Sequence, residues 1–356
     1  NPVCGAFRGF GANQAQFAME GCLDRLAELV GISGWDIRKQ NVIHPGEVWG
    51  PGQIMDDGCL GAEECLDTIK PAYDKAISEG KAVGLGLGLK NSGLGNGFRE
   101  VTRAVIHFRN DGFVEVRHGW TEMGQGVHTV ALQVAVEELG IDPATIRVIV
   151  DTTRQLGFGQ TTGSRGTLMA AASVREACLK AIEGGRQVGV DYMGEHVVDW
   201  TQHLGEPGVV NPTIHSAFGY AAQLVVMNKE TQEIEKVVAV HDVGKAVNPT
   251  LCEGQIEGSV HMGLGYALTE DFPSDENGFP TNMTLRSLGI LRAKDVPPIE
   301  VTLVEYPQPK SPYGIKGVGE IGLVPTAPAV AAALHNADGV WRTRLPMKPK
   351  NDSSND

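Results

Sequence analysis

No two cysteines in this 356-residue sequence form a Cys-x-x-Cys pair; the six stand at positions 4, 22, 59, 65, 178 and 252. That spacing fits neither a zinc ribbon nor an iron–sulfur run, so reduced, buried thiols in a cytoplasmic protein are expected. Apolar runs are short: "AVAAALHNA" suits a core helix, and nothing approaches the roughly 20 residues that span a bilayer. Positive charge is scarce. Thirty Lys and Arg against 43 Asp and Glu leave a formal charge of −13 and a pI near 5.3, with no basic run, which argues against a nucleic-acid partner. A phosphate loop of the Gly-x-x-x-x-Gly-Lys-Ser/Thr type is missing. The run "GLGLGLKNSGLGNG" at 84–97 leads into no helix, so it reads as a strand of small residues packed close to another backbone. The chain opens "NPVCGAFRGFG", without Met and without a charged-then-apolar leader; a glycine-rich loop so near residue 1 is expected to draw structural context from upstream sequence or from another chain.

What remains is a globular composition, 42% hydrophobic and 21% charged, able to bury a sizeable core. Helical spacing at 14–30 places Met19, Leu23, Leu26 and Val30 on one stripe, closed by Gly31. Residues 42–66, rich in Pro, Gly and Asp, predict a long surface loop, and "AEECLDTIKPAYDKAISEG" a helix broken near Pro71. From residue 82 strand patterns appear: "AVGLGLGLK", a hairpin about Asn110-Asp111-Gly112, "IRVIVDTT", a strand pair over 220–244 and "IEVTLVEY". Helices are predicted over 127–139, 167–184, 254–268 and 325–337. The expectation is an α/β (α+β) protein with two lobes of mixed sheets and flanking helices. Its divisions are a helical segment with a long loop (1–81), a first lobe (82–204), a second lobe (205–345) and a disordered tail (346–356).

Five glycine turns share one design. "CGAFRGFGANQ", "TEMGQGVHT", "GFGQTTGSRGT", "NPTLCEGQIEG" and "KGVGEIGLVPTAP" each join small residues to a polar side chain at a helix start. Such ends offer unpaired N–H groups and partial positive charge, and together suggest a large polyanionic ligand.

"AFRGFGANQ", "TEMGQGVHT", "TTGSRGT", "GQIEGSVHMGLG" and "KGVGE…APAVAAAL", in this order over residues 6–334, resemble the molybdopterin-binding domain of the xanthine oxidase family of molybdenum hydroxylases. The resemblance is to the C-terminal part of the molybdenum subunit, xanthine dehydrogenase-like, with the other half expected on missing sequence or a second polypeptide. It implies a molybdopterin cofactor with Mo, in its plain or cytosine dinucleotide form, and no direct protein ligand to the metal. Ala6, Phe7 and Arg8 would lie against the metal through their backbone. Gly124, Gln125 and Gly126 would hold the pterin, and Thr162, Gly163, Ser164 and Arg165 the dithiolene and phosphate side. Gln255 would sit near the metal's oxo group. Phe10 matches the aromatic that meets a flat substrate ring, and Glu320 the general base that deprotonates a metal-acidified hydroxyl. A cap on the following helix is the bland alternative for Glu320.

The implied reaction inserts water-derived oxygen into a C–H bond of an N-heteroaromatic ring, a purine such as xanthine or hypoxanthine first. A nicotinate-type or aldehyde oxidoreductase subunit, or a cofactor-hosting subunit inactive without its partner, are the alternatives. Iron–sulfur clusters and FAD would sit on partner subunits. The second ring-clamping aromatic is replaced near 94 by Leu94. His241 and Asp242 are expected in a structural turn rather than as metal ligands, and Arg99 and Glu100 in surface or inter-strand pairs.

Overall fold

A computed structural model describes residues 5–157 and 159–347. Most of the anticipated tail, and Cys4, lie outside the described residues. Among the described residues, eight strands form two four-stranded mixed sheets. One has the order β1 (Ala82–Ser92), β6 (Ala217–Met227), β7 (Ile234–Asp242), β8 (Ile299–Val304), with only the β7–β8 pair parallel. The other has the order β4 (Ile146–Val150), β3 (Val114–His118), β2 (Glu100–Phe108), β5 (Asp191–Val198), with only β3–β4 parallel. In each, a hairpin is followed by a helix and a parallel return strand, α4 (Val127–Leu139) in the β4 sheet and α6 (Pro249–Leu268) in the β1 sheet. A second helix then follows, α5 (Gly166–Glu183) or α7 (Thr326–Asp338). The lobes are therefore variations on one unit, except that the outer strand of the β1 sheet comes from upstream in the chain.

That exception corrects the expected division at 82: β1 pairs along its whole length with β6 and belongs to the sheet of the second lobe. The reason lies in its alternation. Its leucines face α3 (Leu60–Ser78) in one core cluster, while its glycines face the alanine-rich α7. A methyl group on Gly84 would sit 1.9 Å from the carbonyl oxygen of Ala329, and one on Gly86 2.4 Å from that of Pro325. The glycines let a helix axis lie against the strand closer than side chains allow, as the sequence suggested. β6, buried at every position, is the centre of this sheet.

Three further expectations fail for identifiable reasons. The stripe Met19, Leu26, Val30 of α1 (Ala12–Val30) is exposed, and the helix buries Asn13, Glu20 and Ala27 instead. Glu20 sets that orientation. Its carboxylate takes the Arg38 guanidinium at 2.8 Å and the Leu87 amide at 2.7 Å, so α1 covers the open edge of β1 with polar groups. α3 runs unbroken through Pro71, which is exposed; the carbonyl it leaves unpaired belongs to Asp67, also on the solvent side. The loop from 42 ends earlier than predicted, at a 3-10 turn Asp57–Cys59, and the strand Asp191–Val198 and helix α2 (Gly34–Asn41) carried no clear sequence pattern.

Gly84→Ala should lower the unfolding free energy by about 1–3 kcal/mol, the usual cost of overpacking. Chemical denaturation of the two proteins measures this, and an unchanged midpoint would contradict the close β1–α7 approach.

Candidate functional site

The starts of α4, α5 and α6 and the loop before α7 converge between the lobes around a cavity of about 560 Å³. Of the thirteen residues singled out in the sequence, twelve line it: Ala6, Phe7, Arg8, Phe10, Gly124, Gln125, Thr162, Gly163, Ser164, Arg165, Gln255 and Glu320. Gly126 does not; it packs against the Leu251 side chain. Leu94 also lies off the cavity and gives its amide to Glu100 at 2.9 Å.

The tail of β1 clamps two loops together. Gly93 donates its amide to the Gly163 carbonyl at 2.7 Å, and the Ser92 hydroxyl accepts the Gly317 amide at 2.8 Å. Ser164, at φ +52, adopts a backbone conformation rare for a non-glycine residue. Its hydroxyl accepts the Glu320 amide at 2.9 Å and donates to Glu320 Oε2 at 3.2 Å. The same carboxylate oxygen meets Lys90 Nζ at 3.2 Å. Among the described residues Glu320 Oε1 has no partner. Glu320 therefore does not cap the short turn that follows it; one oxygen is anchored and the other is left for the cavity.

Arg8 ties the N-terminal loop to this floor. Its Nε donates to the Gly319 carbonyl, and its Nη2 donates to the Gln255 carbonyl at 3.0 Å and to Gln255 Oε1 at 3.1 Å. Burial lowers the guanidinium's pKa from its ordinary value, and the Glu320 charge opposes that effect. Phe10, at φ +48, holds its ring largely in the open, 74% exposed.

Two expectations about anion binding change. The Glu122 carboxylate already takes the amides of Gly124 and Gly126 at 2.8 and 2.9 Å, and the Gln125 side chain is bound to Thr121 and Met123 of its own loop. The α4 start is thus satisfied internally, and Gln125 contributes there through its loop's shape. The Arg165 guanidinium turns away from the cavity to Glu100 at 2.8 Å, both nearly fully buried, so Glu100 is no surface residue. α5, by contrast, begins without a side-chain cap, and its first residues, Gly166 and Thr167, line the cavity. With the cationic side chains of Arg8 and Lys245 on its lining, the uncapped start of α5 beside it and Glu320 the only carboxylate among its lining residues, the donor set fits an anionic pterin. Those residues would hold it through backbone and Arg8.

Beneath the site, Lys316 and Asp242 form an ion pair with both side chains fully buried. Lys316 also donates to the Gly58 carbonyl at 2.7 Å, and Asp242 Oδ1 takes the amides of Gly244 and Tyr306. Burial raises the Asp242 carboxyl, opposed by Lys316. Next to it, Gln223 donates to the Gly322 carbonyl at 2.7 Å, accepts from Thr326 at 2.7 Å and contacts His241 Nε2 at 3.2 Å. His241 and Asp242 thus end a buried strand and support the loop that carries Glu320, as anticipated in kind though not in place. Lys90 and Ser92 were singled out by no motif, and Lys316, though it opens the motif "KGVGE", was given no role there; the available signal at Lys90 was a lone charge near the end of a strand rich in small and apolar residues.

Lys316→Met should cost about 3–5 kcal/mol in denaturant unfolding by stranding the Asp242 charge, and adding Asp242→Asn should recover part of that loss. Burial pushes the His241 imidazole down to about 3, so the folded state keeps it neutral while the unfolded chain protonates below its ordinary value near 6.5. Stability from this group is then present above pH 6.5 and lost as pH falls towards 3, by about 1.4 kcal/mol per unit. His241→Gln should flatten the stability–pH curve in that window, which parallel unfolding at several pH values reads.

Family models for the molybdopterin cofactor-binding domain match residues 64–203 and 186–297, with a second such model over 1–42. The chain is similar to the xanthine dehydrogenase molybdenum-binding subunit of Escherichia coli O157:H7, 29% identical over 98% of this chain and 53% of that protein. It is likewise similar to the aldehyde oxidoreductase of Megalodesulfovibrio gigas, 29% identical over 97% of this chain and 41% of that protein. The solved aldehyde oxidoreductase of Desulfovibrio desulfuricans superposes with a TM-score of 0.85 at 28% identity, over 97% of this chain and 40% of that one. The chain spans about half the length of the curated relatives it matches. With its two duplicated mixed lobes and a glycine-lined cavity at their junction, the chain belongs to the molybdopterin cofactor-binding domain family of xanthine dehydrogenase- and aldehyde oxidoreductase-type molybdenum subunits.

Proposed function

We propose that this chain supplies the cofactor cradle and the general base of a molybdenum hydroxylase acting within a larger assembly. The observation that carries this reading is the position of Glu320 on the wall of the shared cavity: one carboxylate oxygen is anchored by Ser164 and Lys90, and the other has no partner among the described residues. When bound, molybdopterin, as such or as its cytosine dinucleotide, supplies the oxygen donor and the two-electron acceptor. The chain's residues do the rest. The Ala6–Arg8 backbone and the 162–165 loop would hold the group, the uncapped start of α5 would offer it backbone donors, and Arg8 and Gln255 brace the floor. Glu320 Oε1 would receive the proton released as oxygen is transferred. Phe10 offers one face for a flat ring.

The substrate proposed first is an N-heteroaromatic ring, a purine before a nicotinate-like compound. An aldehyde is the second reading, favoured by the single exposed ring at Phe10, Leu94 lying off the cavity, and relatives named as aldehyde oxidoreductases. Electrons would leave through iron–sulfur and flavin subunits, with the second half of the molybdenum subunit completing the substrate side. Relatives named as complex subunits support this, among them the gamma subunit of the 6-hydroxypseudooxynicotine dehydrogenase complex of Paenarthrobacter nicotinovorans. The five described cysteines are all free thiols, which supports a reducing, cytoplasmic setting. No helix among the described residues is long and apolar enough to cross a membrane.

Glu320→Gln should leave molybdenum content unchanged and cut turnover at least about a hundredfold. Retained turnover would remove the base from this reading. A panel of purines, nicotinate and aldehydes in oxygen-18 water decides the substrate, since the labelled product identifies the ring or carbonyl carbon that was oxidised.

A further inference from the structure

Lys90, one of the two groups that anchor Glu320, is itself an unusual residue for its place. It sits near the end of β1, its side chain only 8% exposed, in a strand otherwise made of small and apolar residues. A lysine is rarely buried without a counter-charge, because removing an ammonium from water is costly. The two partners it has are specific. Nζ donates to Asn91 Oδ1 at 2.7 Å and lies 3.2 Å from Glu320 Oε2. Asn91 is in turn fixed by donating to the Gly93 carbonyl at 2.8 Å, and Gly93 is bonded to the 163 loop. The ammonium is therefore held from behind and pointed at one oxygen of the carboxylate.

From this geometry we infer that Lys90 is a positioning residue for Glu320, fixing Oε2 so that Oε1 faces the cavity. The inference rests on the reading of Glu320 as base. The charged groups facing Glu320 are Lys90 from β1 and Arg8 from the N-terminal loop, and Arg8 spends its hydrogen bonds on Gly319 and Gln255. Facing Lys90 besides Glu320 is His215, from the segment before β6, whose imidazole burial pushes down to about 4, with Lys90 adding to the effect. His215 is thus neutral near pH 7 and does not compete for the ammonium. Ser164 bonds the same oxygen but carries no charge, so Oε2 is held from two sides and only Lys90 brings a charge to it.

The test compares Lys90→Met, Lys90→Arg and Ser164→Ala in the full native protein. Infrared titration of the Glu320 carboxylate band, assigned by its loss in Glu320→Gln, needs no turnover. In Lys90→Met the band should give way to the protonated-carboxyl band at a higher pH than in the parent, the direction expected on removing an adjacent opposite charge. Lys90→Arg should restore the parent titration, and Ser164→Ala should move it less than Lys90→Met does. The acid limb of the kcat/KM profile should shift with the infrared titration in Lys90→Met, with kcat falling more than KM changes. An unshifted infrared titration in folded Lys90→Met overturns the inference and leaves a purely structural lysine. Should Lys90→Met fail to fold, the same titration on Lys90→Arg and Lys90→Gln decides: a shift in Lys90→Gln alone supports the inference, and equal titrations overturn it. Turnover that survives in Glu320→Gln defeats the base reading instead, and the infrared result still reports whether the pair is coupled.

Discussion

The loop that carries Glu320 is held in place by one buried ion pair. Lys316 and Asp242 have side chains with no solvent exposure at all, and each satisfies its remaining capacity with backbone groups: Gly58 for the ammonium, Gly244 and Tyr306 for the carboxylate. Those three partners come from the turn before α3, the segment just after β7 and the segment after β8, so the pair fastens the 316–320 loop to three separate parts of the second lobe. Alone, a buried pair of this kind gains little net stability, because desolvation offsets most of the attraction. What it contributes is selectivity. A loop displaced by a few ångströms would leave a bare charge in the interior, so the alternatives to the observed loop position are strongly disfavoured.

The other side of the site is fixed by geometry rather than charge. The loops before α5 and before α7 are equivalent in the two duplicated lobes, and they meet face to face through Ser164 and Glu320. A chain that repeats a unit and packs the copies around a common junction brings two helix starts and two glycine loops to one place. The tail of β1 then threads between them, bonding Gly163 on one side and Gly317 on the other. Because β1 is also the strand whose glycines admit α7 at close range, the approach that forms the lobe's core is the approach that brings Lys90 under Glu320.

Much of this was legible in the sequence, and unevenly so. Strand periodicity located seven of the eight strands, and the ordered glycine motifs named residues that line one cavity, with Gly126 the exception. The failures have a common origin. Pattern reading assigns residues to faces from apolarity, and here buried polar groups override it: Glu20 turns α1 so that Met19 and Val30 face outward, and Arg165 turns from the cavity to Glu100. Pairs such as these join residues 18 to 74 positions apart, and no local window contains both partners. Lys90 and Glu320, further apart still, were invisible as a pair for the same reason.

Free and occupied amides are unevenly distributed around the cavity, and the unevenness has a use. Five helix-start loops together suggested one polyanionic ligand, yet the turn at 124–126 spends its amides on Glu122 and α6 is capped by Asn248, whereas α5 starts uncapped. A polyanionic ligand entering this cavity therefore meets an asymmetric field, with open donors on the α5 side and an acidic residue, Glu320, on the α7 side. The same duplicated scaffold thus separates two tasks at its junction. One copy of the loop keeps its backbone donors for a negatively charged group, and the other carries a carboxylate whose repulsion of that group is offset by a lysine placed directly behind it.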